Sequence, residues 1–272
     1  MNPARLGLLA AGTAGAAWGL SKVVDGMLNG VDDLRLEERT LRLPGWPERL
    51  RGYRVAVLAD LHLAGEWSVR RAQRAVAMAL DASPDFVALV GDYVNLWSLA
   101  SPAWIGDTLE PLLLMDGAAA AVPGNHDYMG GDPRLLAPLF RELNVRLLRN
   151  ESWIRDGVTW VGVDSAVERH DRPRVAMRGV RGPAVGLWHE PDAVVKLPPG
   201  CSLMLSGHAH GGQGRLFGRF KPVKTRMGSQ YVDGFFPDAP TPLYVSRGVG
   251  TTLFPLRLDV PPEVSLLTLN PL

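Results

Sequence analysis

Two histidines one residue apart, His208 and His210, lie in the stretch Gly207-His208-Ala209-His210-Gly211-Gly212-Gln213, directly behind the apolar run Leu203-Met204-Leu205. Imidazoles at that spacing on a turning backbone can aim at neighbouring points. The flanking glycines let the chain bend sharply and come close to whatever is bound. Four further polar clusters follow short apolar runs in the same way: Asp60 and His62 after VAVLA, Asp92 after FVALV, Asn125-His126-Asp127 after AAAAV, and His189 after AVGLW. Taken singly, each also reads as a turn or a helix cap. Taken together, two aspartates, one asparagine and four histidines without a thiolate suit borderline divalent ions such as Mn²⁺, Fe²⁺ or Zn²⁺. So many ligands exceed the needs of one ion, which points to a two-ion site with about 3.5 Å between the ions and one carboxylate bridging them.

The elements that must carry these residues follow from the hydrophobic pattern. Leu34 to Leu43 reads as an edge strand closed by Pro44-Gly45-Trp46-Pro47. Tyr53–Ala59, Phe86–Val90 and Ala118–Val122 are short, nearly continuous apolar runs, as in strands buried on both faces. Helical spacing fills the intervals: Ser68–Leu80 with Ser68 as N-cap, a stretch within Pro102–Leu114, and Pro133–Leu143. This βαβαβ rhythm implies parallel strands joined by helical crossovers. After about Val145, strand-like pieces at Trp153–Arg155, Val158–Val163, Ala184–Trp188, Leu203–Ser206, Leu243–Val245 and Val264–Leu269 are expected to build a second sheet of one domain spanning 34–272. The polar clusters would then converge at the carboxyl ends of the strands, where α/β sheets bind ligands.

Composition excludes some functions. With 272 residues, 46% hydrophobic and 21% charged, and a formal charge of +1, the chain is an ordinary globular protein without the basic excess that nucleic acid requires. The single cysteine, Cys201, cannot form an internal disulfide and reads as a small buried apolar residue. His170, in a polar loop, reads as solvated. The N-terminal segment 1–28 contains an uncharged run, Leu6 to Leu20. At 1.5 Å per residue it reaches about 22 Å, against roughly 30 Å of hydrocarbon. It therefore reads as a membrane anchor extended by snorkelling of Lys22, as a signal peptide cleaved near Ala14-Gly15-Ala16, or as a helix lying on the protein or a bilayer.

The series Asp60-x-His62, Gly91-Asp92, Gly124-Asn125-His126-Asp127, His189 and Gly207-His208-x-His210 resembles the calcineurin-like metallophosphoesterase superfamily in motif order and spacing, over about Leu50 to Gln213. The ending Arg247-Gly248-Val249-Gly250, then Pro261-Pro262-Glu263-Val264, resembles a bacterial branch that includes UDP-2,3-diacylglucosamine pyrophosphatases and small membrane-linked phosphodiesterases. The resemblance implies two mixed sheets packed on each other and flanked by helices, a four-layer α-β-β-α sandwich. It gives one metal to Asp60, His62 and His210 and the other to Asn125, His189 and His208, with Asp92 bridging. His126 would contact the phosphate or leaving oxygen, with Asp127 orienting it. The pattern departs at Trp188, where a smaller residue is expected.

The chemistry so implied is hydrolysis of a phosphodiester or pyrophosphate bond by a hydroxide held between two divalent ions, Mn²⁺ foremost, with Fe or Zn as alternatives. Phe235-Phe236-Pro237 and Leu253-Phe254-Pro255-Leu256 read as core packing or as an acyl-binding wall. Arg215, Arg219, Lys221, Lys224 and Arg226 read as a solvated basic loop or as holders of a second phosphate. With the N-terminal segment, these features favour a membrane-associated enzyme acting on a lipid-linked or nucleotide-linked substrate. A soluble small diester such as a cyclic nucleotide is the second reading, and a non-catalytic metal-bound membrane scaffold the third. No peptide-recognition segment suggests a protein phosphatase.

Overall fold

A computed structural model describes residues 19–27, 29–215, 225–252 and 254–272. Two six-stranded sheets stack face to face. The first runs β1 (Arg35–Leu43), β12 (Glu263–Pro271), β2 (Tyr53–Leu58), β3 (Phe86–Leu89), β4 (Ala119–Ala121) and β5 (Arg146–Leu147). The second runs β10 (Gly234–Phe236), β11 (Leu243–Val245), β9 (Leu203–Ser206), β8 (Ala184–Leu187), β7 (Val158–Gly162) and β6 (Glu151–Arg155). β2, β3, β4 and β5 pair in parallel, as do β7, β8, β9 and β11.

The continuous apolar runs are explained by three separate cores. Alternate residues of β2 and β3, among them Val55, Val57, Phe86 and Ala88, point between the sheets to meet Trp160, Val185, Leu187, Leu203 and Leu205. Phe86 and Trp160 stack there with ring centroids 3.6 Å apart, an arrangement worth about 0.5–1.5 kcal/mol beyond its buried area. The other residues of the same strands, Ala56, Leu58, Val87 and Leu89, face α2 (Glu66–Asp81), α3 (Ser101–Leu109) and α4 (Leu136–Glu142). The outer face of the second sheet is covered by the short α5 (Pro173–Ala176) and the 3-10 turn Pro191–Lys196. The architecture is thus α-β-β-α, with a thin fourth layer.

Two expectations change. The run ending at Leu269 does not join the second sheet: β12 inserts in the first, parallel to β1 and antiparallel to β2. An apolar run reports burial on both faces and carries no record of its neighbour. Ser68 is not the N-cap of α2, which starts after Gly65. Its hydroxyl sits one turn in, accepts from the amides of Ala64 and Gly65 at 2.8 and 3.1 Å, and donates to the Gly65 carbonyl.

The start of the N-terminal run and the Ala14–Ala16 cleavage site lie outside the described residues. A helix α1, residues 19–27, is described. Its Gly26 carbonyl accepts from the Arg257 amide at 3.1 Å, docking its end on the loop after Phe254. Leu20, Val23, Val24 and Met27 of α1 remain exposed. Among the described residues no helix is long and apolar enough to cross a membrane.

Candidate metal centre

Five strands end along one rim, three from the first sheet (β2, β3, β4) and two from the second (β8, β9). The residues that follow them turn sharply. Asp60, His62, Asp92, His208 and His210 all have positive φ, between 46° and 70°. L-residues avoid this region, and where it recurs at one place the surroundings must hold it. Close approach does so here. A Cβ on Gly124 would lie 2.2 Å from Asp92 Oδ1, and one on Gly248 would lie 2.6 Å from Asp60 Cβ, so only glycine fits against either carboxylate.

The side chains converge in overlapping groups. Asp60, His62 and His210 form one set with ligand atoms within 4.8 Å of one another, Asp92, His189 and His208 a second, and His62, Asp92 and His126 a third. His62 Nε2 lies 3.0 Å from His210 Nε2 and 3.6 Å from Asp92 Oδ2. His189 Nε2 lies 3.1 Å from the same Oδ2, so Asp92 stands between the two histidine groups. Backbone amides hold the carboxylates: His208 N donates to both oxygens of Asp60 at 3.0 Å, and His126 N donates to Asp92 Oδ1 at 2.8 Å.

These donor atoms fit a cation. His189 gives its Nδ1–H to the Val90 carbonyl at 2.7 Å, which leaves Nε2 facing inward. His208 bonds the Arg226 carbonyl through Nε2 at 2.7 Å, which leaves Nδ1. Such carbonyl partners set the tautomer a metal ligand needs. Asn125 Oδ1 and His189 Nε2 are buried without a hydrogen-bond partner, a costly state unless something else satisfies them. Burial pushes His62 down to about 3 and His210 well below the usual imidazole value, keeping both neutral. Burial also pushes Asp60 up to about 7, against the pull of His189. For Asp92 burial works the same way, yet in the ion-free protein a protonated His189 outweighs it and holds the carboxyl below its ordinary range. In turn, against the cost of burial, Asp92 and Asp60 raise His189 well above the usual imidazole value, and a cation at Nε2 would take the place of that proton.

The structure corrects the expected link between Asp127 and His126. Asp127 accepts from the amides of Asp92, Tyr93 and Gly124 at 3.0, 2.9 and 2.8 Å. His126 Nδ1 instead meets the Asn95 carbonyl oxygen at 2.8 Å. Adjacent residues on a 3-10 turn point in different directions, so Asp127 braces the loop after β3 while a backbone carbonyl orients the imidazole. Trp188 does not disturb His189, because its ring is buried in the outer core with Val161 and Ala193.

The other sequence candidates separate. Phe235 and Phe236 belong to β10 and pack on the cores, whereas Phe254 is exposed beside the site. His170 stacks on Tyr128 at 4.7 Å, an exposed ring with a partner. Arg215 pairs with Asp233 and Arg226 supplies a carbonyl to His208, while Arg219, Lys221, Lys224 and Leu253 lie outside the described residues. Sequence reasoning missed Asn95, which acts through its backbone. It also missed Arg257, fully buried, whose guanidinium donates to the carbonyls of His210, Gly248 and Gly250. Neither has a local signal.

A family model described as calcineurin-like phosphoesterase matches residues 53–212. The chain is 26% identical to YkuE of Bacillus subtilis (strain 168), an uncharacterized metallophosphoesterase, over 97% of this chain and 94% of that protein. It is 30% identical to phosphodiesterase YaeI of Escherichia coli (strain K12), over 83% of this chain and 89% of that protein. It is 26% identical to a transmembrane protein with metallophosphoesterase domain of Danio rerio, over 91% of this chain and 60% of that protein.

Proposed function

We propose that this chain, which belongs to the calcineurin-like phosphoesterase family and is a metal-dependent phosphoester hydrolase, cleaves a phosphodiester or diphosphate bond of a lipid-linked or nucleotide-linked substrate such as UDP-2,3-diacylglucosamine. In this reading Asp60, His62 and His210 hold one divalent ion and Asn125, His189 and His208 the second, with Asp92 between them. Mn²⁺ leads the candidates, followed by Fe and Zn, because imidazoles and carboxylates without thiolates suit borderline ions. Divalent ions held by these residues would supply a water activated near neutral pH and a sink for charge on the phosphoryl oxygens. The rest falls to the chain. The carbonyls of Val90 and Arg226 keep two imidazoles in the required tautomers, and the amide of His208 steadies Asp60. As the imidazolium, with its Nδ1–H held by the Asn95 carbonyl, His126 would give its Nε2 proton to the leaving oxygen and be left as the neutral Nδ1–H tautomer.

The observation that carries the two-ion reading is the presence of two separate donor sets, Asp60–His62–His210 and Asp92–His189–His208, with the buried Asn125 Oδ1 unpartnered beside the second. A membrane-associated, lipid-linked substrate is supported by the exposed apolar side chains of α1 and by the cleft that opens from His62. That cleft, of about 370 Å³, has Trp67 and Phe254 at its rim, 46% and 64% exposed. The name of the zebrafish relative points the same way. The name of the E. coli relative, a phosphodiesterase, supports cleavage of a phosphodiester, and a small soluble diester is the second reading.

The test is hydrolysis of bis(p-nitrophenyl) phosphate and of UDP-2,3-diacylglucosamine by metal-stripped protein reloaded with Mn²⁺. Cleavage of both supports the first reading. Cleavage of the simple ester alone leaves the second, and no hydrolysis with ions bound overturns both.

A further inference from the structure

Arg71 is left over by this chemistry. It sits in α2, is only 3% exposed, and lines the cleft that begins at His62. Other partly or fully buried arginines hold a carboxylate or several carbonyls, although Arg257 Nε is also without a partner. Arg247 pairs with Glu37 at 2.6 Å and Glu263 at 2.8 Å, Arg149 pairs with Asp164 at 2.8 Å, and Arg257 holds three carbonyls. Arg71 has, among the described residues, one long hydrogen bond, from Nη1 to the Val31 carbonyl at 3.5 Å. No carboxylate among the described residues lies within ion-pair reach, and its Nε is buried without a partner. Burial pulls its pKa below the ordinary value, offset in part by the more distant Asp32.

A guanidinium taken out of water without a counter-charge is strongly unfavourable, so a fold that keeps one beside a cleft leaves it waiting for an anion. The ring of Trp67 lies 4.7 Å from the guanidinium carbon and covers one face. The N–H donors lie in the plane, where a phosphate can take two of them at once. Of the basic residues that follow His210, the described Arg215 is already paired with Asp233.

We propose that Arg71 recognises a second phosphate of the substrate, one that is not cleaved and that lies in the cleft between His62 and the rim formed by Trp67 and Phe254. The inference rests on the hydrolase reading, which puts the scissile phosphate at the His62 end. It selects diphosphate-type esters over esters with one anionic group. Arg71 is a specificity residue and takes no part in bond cleavage.

The experiment is calorimetric titration of Mn²⁺-loaded protein with methylenediphosphonate and with methylphosphonate, for wild type, Arg71→Gln and Arg71→Lys. Ion content and turnover of bis(p-nitrophenyl) phosphate are measured alongside. Wild type is expected to prefer the diphosphonate, and Arg71→Gln to lose about tenfold of that preference, as one charge-assisted contact implies. Arg71→Lys is expected to fall between, with ion content and simple-ester turnover in both variants within about twofold of wild type. An unchanged preference in Arg71→Gln means that the ions alone supply it and overturns the proposal. Equal losses for both ligands, or loss of ions, assign Arg71 a structural role and also overturn it. If wild type hydrolyses no ester while the preference still depends on Arg71, the hydrolase reading fails and the anion site stands. Should Arg71→Gln not fold, Arg71→Lys decides: it keeps the charge without the planar fork, and an unaltered preference overturns the proposal.

Discussion

His126 Nδ1 lies 2.8 Å from the carbonyl oxygen of Asn95, a hydrogen bond between two loops that follow neighbouring strands of the first sheet. The carbonyl accepts only from a protonated nitrogen, so Nδ1 carries the proton and Nε2 is left for substrate. His126→Gln is expected to lower turnover by about 10²–10⁴, the usual scale for loss of an acid–base group, with both ions retained. Asn95→Ala keeps the carbonyl and should leave turnover close to wild type. Ion loss in His126→Gln that matches the loss of turnover would make His126 a ligand.

Asp127 gives a different signature. Its carboxylate satisfies three amides, those of Asp92, Tyr93 and Gly124. Asp127→Ala leaves them buried and unpaired, at about 1–3 kcal/mol each if none is rescued by water. The expected result is a loss of several kcal/mol in denaturant unfolding. A stable variant with an isolated defect in turnover would instead return Asp127 to the role of orienting His126.

The two histidines of the Gly207–Gln213 loop belong to different groups, His210 with Asp60 and His62, and His208 with Asp92 and His189. His210→Ala and His208→Ala should each reduce bound Mn²⁺ from two ions to about one per chain, since a site missing one of its few ligands binds far more weakly. Elemental analysis after dialysis reads this directly. Loss of both ions in either variant would show a single cooperative centre.

Gly124 touches Asp92 so closely that an added Cβ would lie 2.2 Å from Oδ1. Gly124→Ala must displace the carboxylate that stands between the two groups. Ion binding is therefore expected to weaken at both sites, while Gly106→Ala, which like Gly124→Ala carries no positive-φ strain and whose added Cβ meets nothing within 4 Å, serves as a control. Unchanged ion content in Gly124→Ala would count against Asp92 as the shared ligand.

Ion binding should depend on pH through Asp60, which burial pushes up to about 7 in the ion-free protein. Above that value the carboxylate is already ionised. Below it an incoming cation must displace the Asp60 proton, so affinity falls more steeply as pH drops. This adds about tenfold per unit to the slope that His189, raised by Asp92 and Asp60 well above the usual imidazole value despite its burial, contributes on both sides of 7. His62, pushed down to about 3, stays neutral throughout this range and adds no slope. Mn²⁺ titrations at several pH values between about 6 and 8 check this, and a slope that does not steepen below 7 would remove Asp60 from the centre.

Much of the site could be read from neighbouring residues alone. An apolar run followed at once by Asp, Asn or His marks a strand end facing a ligand rim, and the glycines beside Asp92 and His208 mark backbone that must turn tightly. The helices before β3, β4 and β5 were equally legible, because 3.6-residue spacing is a local property, whereas α5 before β8 is a single turn too short to leave a periodic mark.

What the sequence determined by itself was therefore the order of the strands' polar ends and the chemical types gathered there. The tertiary structure decided what each side chain does. Val90 meets His189 across 99 positions, and Asp60 accepts from the His208 amide across 148. Asn95 displaces Asp127 as the partner of His126, and Arg71 is left in the cleft without a counter-charge. β12 crosses from the expected sheet to the other. Propensity and periodicity act over a few residues, whereas tautomers, unpaired charges and strand neighbours are set by which distant segments exclude water together.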